Sequence, residues 1–170
     1  LSNLRTTADA LPILTNPASL ELFEHYGVLS ARELTARADV CLEQYCTYVQ
    51  IEARTLVQML SIQVLPASLR YQLELSQVVT GARESSIDCS LTTGRLHDVA
   101  ALVNALQEAI ETLSFAEVYE SEDTYLHANQ VRDTLLPAML VARTISDQLE
   151  THVAEDLWPL PSYTDMLFIR

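Results

Sequence analysis

The chain has 170 residues, of which 49% are apolar, and it carries a formal net charge of −13 with ten arginines and no lysine. This apolar content suffices for a buried core and argues against disorder. The acidic balance argues against nucleic acid or an anionic membrane as the main partner, because both require a basic surface. The lack of lysine excludes lysine-dependent phosphate loops and Schiff-base chemistry.

The three cysteines have no Cys-x-x-Cys spacing, and the longest apolar run, Leu135–Ala142, contains a proline. An odd number of cysteines without a metal-binding spacing favours small buried side chains in a reducing compartment, so we expect a cytoplasmic protein. The apolar run is too short to cross a bilayer, so no membrane partner is expected. The first residue is Leu1 rather than methionine, which favours a segment of a longer polypeptide.

Residues 1–29 are predicted as a lead-in that contains a short helix. Asn16 and Pro17 are typical of a helix start, because Asn can cap the helix and proline loses no hydrogen bond at the first position. Gly27 is predicted to end this helix as a left-handed cap. One further helical turn is expected before Pro12.

The stretch Ser30–Gln77 is predicted to be one very long helix. Ser30 and Glu33 form a capping box, and apolar residues then recur at steps of three and four. These are Leu42, Cys46, Val49, Ala53, Leu56 and Leu60. Pro66 should bend this helix near Ile62 rather than end it, because helical spacing resumes at once.

Residues 79–93 have the weakest pattern and are predicted as a connection that could extend the flanking helices. A second main helix follows, with Thr92 or Thr93 as its cap. Its apolar residues alternate at steps of three and four, which is a heptad seam: Leu96, Val99, Val103, Leu106, Ile110 and Leu113. The seam is too short for a free coiled coil, so we expect it inside an antiparallel bundle.

A third main helix is predicted from about Asp123 to Leu157. Its apolar face comprises Ala128, Val131, Leu135, Ala138, Ala142, Ile145, Leu149 and Val153. Pro137 lies in the same Leu-Pro-Ala tripeptide as Pro66, so one bend in each long helix around a shared core is expected. The predicted fold is therefore all-α, with an antiparallel bundle of three long helices over residues 30–157.

Two prolines after Trp158 stop the third helix, and residues 158–170 are predicted to be an ordered tail. The apolar tail residues are Trp158, Leu160, Tyr163, Met166, Leu167 and Phe168. They should pack on the bundle or, in a larger protein, seal an interface.

No motif for catalysis, cofactor binding or metal ligation emerges. The four histidines (His25, His97, His127 and His152) lack the Glu-x-x-His and i, i+4 spacings, so solvated or capping roles are favoured over ligation. Glu108, Glu111 and Glu117 are interpreted as a solvated helix face, although carboxylates also form magnesium sites. Three glycines cannot build a phosphate-binding loop of the usual form. We assign no catalytic, cofactor-binding or metal-ligating residue to this segment.

Six stretches carry a family signature, and the most specific is the ending Trp-Pro-x-Pro-x-Tyr followed by Leu-Phe. They are Asn3–Pro12, Leu22–Val28, Tyr48–Leu56, Val64–Gln72, Leu135–Met139 and Trp158–Phe168. In this order and at about this spacing, they resemble the C-terminal part of type III glutamine synthetase, the large bacterial and cyanobacterial form.

The resemblance implies an enzyme that forms glutamine from glutamate, ammonia and ATP with magnesium or manganese ions, through a γ-glutamyl phosphate. It also implies that the metal and nucleotide ligands lie in a catalytic barrel preceding this segment, so no catalytic residue is carried over. The expected partners are the upstream catalytic domain of the same chain and neighbouring subunits of a large double-ring oligomer.

Two alternatives are open at this point. One is a free-standing helical adaptor that resembles this domain and binds other proteins. The other is an independent enzyme that holds a metal ion on bundle carboxylates. The synthetase domain is favoured because the matching stretches lie at both ends of the chain.

Overall fold

The computed structural model describes residues 4–119, 121–161 and 166–167, which form helices and turns and contain no strand. The helices are α1 (Thr7–Ala10), α2 (Pro17–His25), α3 (Ala31–Met59), α4 (Leu65–Glu84), α5 (Ser90–Glu117), α6 (Thr124–Gln130) and α7 (Leu136–Glu150). A 3₁₀ turn (Leu11–Ile13) follows α1, and π-helical turns (Leu60–Val64 and Val131–Leu135) join α3 to α4 and α6 to α7. The predicted all-α fold with three long helical stretches is confirmed.

The predicted starts of α2 and α3 are confirmed by their capping hydrogen bonds. Asn16 Oδ1 accepts from the Ser19 amide at 2.7 Å. Ser30 Oγ accepts from the Glu33 amide at 3.3 Å, while Glu33 Oε2 accepts from the Ser30 amide at 2.9 Å. Both arrangements satisfy amides that have no partner within the helix. Gly27 ends α2 with φ of +64°, a left-handed conformation that glycine adopts without strain.

Each Leu-Pro-Ala tripeptide follows a π-helical turn. The Leu65 amide donates to the Leu60 carbonyl, five residues earlier, just before Pro66. The Leu136 amide donates to the Val131 carbonyl in the same way before Pro137. Proline has no amide hydrogen and its ring collides with the carbonyl four residues earlier, and the wider turn relieves this collision. The long helices therefore continue through both prolines, while their curvature around one shared core stays a prediction.

The second main helix begins earlier than predicted. It starts at Ser90, where the Asp88 carboxylate accepts from the Ser90 amide at 3.1 Å, and not at Thr92 or Thr93. The Cys89 carbonyl accepts from the Thr93 amide at 2.9 Å, so Thr93 already lies inside the first turn. The preceding helix extends to Glu84, which leaves only residues 85–89 as a connection.

The third main helix ends at Glu150, so its predicted end at Leu157 is wrong. The amides of His152 and Val153 both donate to the Leu149 carbonyl, which closes the helix in a turn. Arg95 Nη2 donates to the His152 carbonyl at 2.8 Å. This carbonyl is therefore satisfied without an amide from a further helical turn. This contact comes from α5 and cannot be seen in the local sequence.

The chain divides into two compact units. Unit 1 comprises residues 1–54 and 115–138, and unit 2 comprises residues 55–114 and 139–170. The sequence-based division into residues 1–29, 30–157 and 158–170 follows chain order and stays a prediction.

Unit 1 buries small and medium apolar side chains from α1, α3, α6 and the second π turn. Each is exposed by 8% or less: Ala8, Leu34, Ala38, Leu42, Cys46, Val49, Ala53, Ala128, Val131 and Leu135. Cys46 belongs to this core, and burial raises the pKa of its thiol. The predicted inner faces of the first and third long helices are confirmed in this unit, except that Ala138 is only half-buried.

Unit 2 buries the predicted heptad seam of α5. Its fully covered residues include Leu60, Val64, Val99, Val103, Leu106, Leu113, Ala142 and Leu149. Leu96 and Ile110, at two seam positions, are half-buried. Apolar burial of this extent is the main stabilising contribution in a helical bundle of this kind.

The ordered tail over residues 158–170 stays a prediction. Trp158 and Leu160 are half-buried, whereas Met166 and Leu167 are 60% and 73% exposed. Tyr163 and Phe168 lie outside the described residues.

Within the described ranges, no helix is both long enough and apolar enough to cross a membrane.

Leu106→Ala should lower the free energy of unfolding by about 2–5 kcal/mol, because it leaves a cavity at a fully buried seam position. Leu91→Ala, on the same helix, is the matched control and should change stability by less than about 0.5 kcal/mol, since Leu91 is 89% exposed. Urea unfolding measures both variants. Equal effects would contradict the assignment of the seam to the core.

Candidate interaction surface

No metal centre is visible in the part of the chain that the structure describes, where no three His, Cys, Asp or Glu side chains are grouped to hold an ion. His25 and His97 are exposed, and His127 and His152 are half-buried. The assignment of no catalytic, cofactor-binding or metal-ligating residue stays a prediction. The contacts described next join helices within each unit. The exposed apolar residues that remain are the candidate interaction surfaces.

His127 helps to hold the turn before α6 in unit 1. Its Nε2 lies 3.3 Å from Nε2 of Gln50, which donates to the Tyr119 carbonyl at 3.3 Å. The His127 ring also meets the Tyr119 ring edge-on, with centroids 6.0 Å apart. These contacts connect α3, the turn and α6.

Glu117 differs from its predicted role on a solvated face. Its side chain is only 14% exposed and accepts from Arg54, with Nε at 2.9 Å from Oε1 and Nη2 on the same oxygen. Arg54 is 75% exposed, so this ion pair contributes less than about 1 kcal/mol. Glu108 and Glu111 are exposed, as predicted.

Arg95 was not singled out by the sequence, yet it joins three elements of unit 2. Its guanidinium lies over the ring of Tyr71 in α4, 5.7 Å from the centroid, and its Nη2 binds the His152 carbonyl after α7. Stacking on an aromatic ring and donating to a carbonyl suit the planar, always-charged guanidinium. The neighbouring Arg70 is exposed.

The lead-in is fixed to unit 1 by Arg132 in the second π turn. Arg132 Nη1 donates to Asp9 Oδ1 at 2.9 Å, and its other nitrogens bind Asp133 at 2.7 and 2.8 Å. The Thr6 hydroxyl donates to Asp9 Oδ2 at 2.8 Å and completes the capping box of α1. The Thr6 hydrogen bond, together with Arg132, holds the pKa of Asp9 below its ordinary value.

A second contact fixes the segment before α2. The hydroxyls of Thr15 and Tyr125 are 3.3 Å apart and share a hydrogen bond, which joins this segment to α6. Tyr45 lies near Thr6, Asp9 and Arg132 in unit 1, and burial raises the pKa of its hydroxyl.

Helix α2 is joined to α6 just before its start, and none of its residues is fully buried. Leu22, Tyr26 and Val28 are 55%, 70% and 61% exposed, and Phe23 is half-buried. Together these four residues line a shallow cleft of about 210 Å³, called here the α2 cleft. Contiguous exposed apolar residues of this kind mark binding surfaces in soluble proteins.

Carboxylates border the α2 cleft on both sides. One neighbouring cleft is lined in part by Glu21 and His25, and the other by Glu24 and Glu33. Glu21 and Glu24 are the two formally charged side chains of α2 when His25 is neutral. The surface thus has an apolar centre and an acidic rim.

Unit 2 has its own exposed apolar stripe on the helix that contains the first π turn. Ile62, Leu69 and Leu73 are 61%, 44% and 57% exposed, and with Pro66 they follow steps of four, three and four. This spacing places them on one face of the helix. The sequence pattern alone did not separate this outer face from the buried one.

Residues 1–83 match a family model described as the glutamine synthetase C-terminal domain. The α2 cleft and the exposed stripe of unit 2 both lie within these residues.

Three relatives match over essentially the whole chain. A type-3 glutamine synthetase from Dictyostelium discoideum is 30% identical over 100% of this chain. Glutamine synthetases from Butyrivibrio fibrisolvens and Bacteroides fragilis are 27% and 26% identical over 99% and 100% of it. The chain spans about a quarter of the length of these relatives (24%, 25% and 24%), and the match lies in their C-terminal part.

Asp9→Asn should make the free energy of unfolding depend less on pH between pH 7 and pH 2.5. Because the pKa of Asp9 is lower in the folded chain than in the unfolded chain, ionised Asp9 adds stability above its unfolded pKa, and this is lost as pH falls through the folded pKa. The variant should therefore be less stable than the wild type at pH 7, and the difference should shrink below about pH 4. Urea unfolding between pH 7 and pH 2.5 measures it. A difference that is constant with pH would contradict the Arg132–Asp9–Thr6 anchor.

Proposed function

We propose that this chain is the helical, non-catalytic part of an ATP-dependent glutamate–ammonia ligase, because residues 1–83 match the glutamine synthetase C-terminal domain model and the whole chain matches the C-terminal part of longer glutamine synthetases. The observation that carries the proposal is the match of the whole chain to the C-terminal part of a relative about four times as long. A match over all seven helices is more specific than one over a single amphipathic helix would be.

In the proposed reaction, the γ-carboxylate of glutamate is phosphorylated by ATP, and ammonia then displaces phosphate to form glutamine. The groups that hold ATP and magnesium or manganese ions belong to the part of the polypeptide that precedes this segment. The sequence supports this division, since the segment has three glycines and no lysine with which to bind phosphates.

The role proposed for the segment itself is structural. Its apolar residues form cores within each unit, and its arginines fix the ends of helices, while the α2 cleft and the stripe at Ile62, Leu69 and Leu73 are left exposed. Such surfaces suit contact with the preceding catalytic domain and with neighbouring subunits of a large homo-oligomer. A cytoplasmic location is proposed with it, which the three free cysteines support.

The full-length protein should form glutamine from glutamate, ammonia and ATP in the presence of Mg²⁺ or Mn²⁺, and residues 1–170 alone should not. Release of phosphate that depends on both glutamate and ammonia, together with direct detection of glutamine, measures the reaction. A full-length protein that folds but lacks this activity would contradict the proposal. Activity in residues 1–170 alone would favour the independent enzyme instead.

A further inference from the structure

We propose that the α2 cleft is the surface through which this domain docks on the catalytic part of its own polypeptide. The occupant is an apolar protrusion bordered by basic side chains. The inference rests on the proposed function and adds to it the contact surface and the chemistry of the partner surface.

The first argument is the stability of α2. The helix has nine residues, Pro17–His25, and isolated helices shorter than about 12–15 residues are marginal in water. Helices in folded proteins are stabilised mainly by packing of an apolar face, but in α2 no residue is fully buried and only Ser19, Leu20 and Phe23 are half-buried. The Thr15–Tyr125 hydrogen bond joins its start to α6, while Leu22 and Tyr26 are exposed. A further surface that covered these two side chains would therefore stabilise α2.

The second argument is the position of the missing polypeptide. The chain matches the C-terminal part of relatives about four times as long, so the catalytic part precedes it. Thirteen positions separate Leu4 from Pro17, a span of at most about 45 Å even when fully extended. The distance from Leu4 to Pro17 is shorter than this limit because residues 7–13 are helical and α1 is fixed by Arg132. The preceding polypeptide thus enters within reach of the α2 cleft.

The third argument is charge. A second copy that docked through the same face, related by a two-fold axis, would bring Glu21 and Glu24 close to their own equivalents. Like charges that face each other across an interface are unfavourable, so the acidic rim favours a basic partner. This chain has ten basic residues against 23 acidic ones, so a second copy is a poor source of such a partner. The catalytic part of the same polypeptide is therefore the occupant.

The test places a photoreactive benzophenone at position 26 of the full-length protein, as Tyr26→benzoylphenylalanine. Isotopically light and heavy subunits are mixed before irradiation, and crosslinked peptides are identified by mass spectrometry. We expect one main crosslink to residues that precede this segment, with both peptides carrying the same isotope label. The matched control is the same substitution at Tyr48, which is 65% exposed in unit 1 but does not line the cleft. It should not yield this product.

Reversing the rim charges tests the chemistry of the partner. Glu21→Arg combined with Glu24→Arg should lower the yield of the position-26 crosslink severalfold, whereas Glu84→Arg, at an exposed position of unit 2, should leave it unchanged. Crosslinks that join light and heavy subunits, or the lack of any crosslink outside this domain, would overturn the proposal. An unchanged yield after the charge reversal would overturn the basic partner surface.

Glutamine formation is measured on the same preparations. If the full-length protein forms glutamine but the expected crosslink is missing, only the docking inference fails. If it forms no glutamine, the proposed function fails whatever the crosslink result.

Discussion

The rest of the structure depends on how two prolines are accommodated inside long helices. In each case a five-residue π turn precedes the Leu-Pro-Ala tripeptide, so the helix continues on both sides of the proline. Without this wider turn, the proline ring would collide with the carbonyl four residues earlier and would kink or break the helix. Continuous helices on both sides of the prolines allow apolar residues as distant as Leu42 and Val79 to belong to one helical stretch.

Arginine supplies several of the long-range polar contacts in a chain that has no lysine. Arg132 fixes the lead-in to unit 1, and Arg95 holds the end of α7 in unit 2 while stacking on Tyr71. Arg132 uses three donors of its planar group, and Arg95 combines one donor with ring stacking, which an ammonium group would not reproduce. These contacts join segments that are distant in sequence within each unit.

Local signals in the sequence predicted much of the fold. Asn16, Ser30 and Gly27 act on residues within one helical turn, so their roles could be inferred from spacing alone. The end of α7 could not be inferred, because it depends on Arg95, which is distant in sequence. The exposure of α2 was also missed. Its apolar residues resemble a core face, and burial depends on what the rest of the chain covers.

The central claim is that these residues form the C-terminal domain of a longer synthetase chain. The mass of the native protein, captured from its source with an antibody against residues 162–170, tests this claim most directly. The account predicts a polypeptide about four times heavier than the 19.0 kDa of this segment, since relatives are matched over about a quarter of their length. A native polypeptide of about 19 kDa would contradict it and would identify a free-standing helical protein.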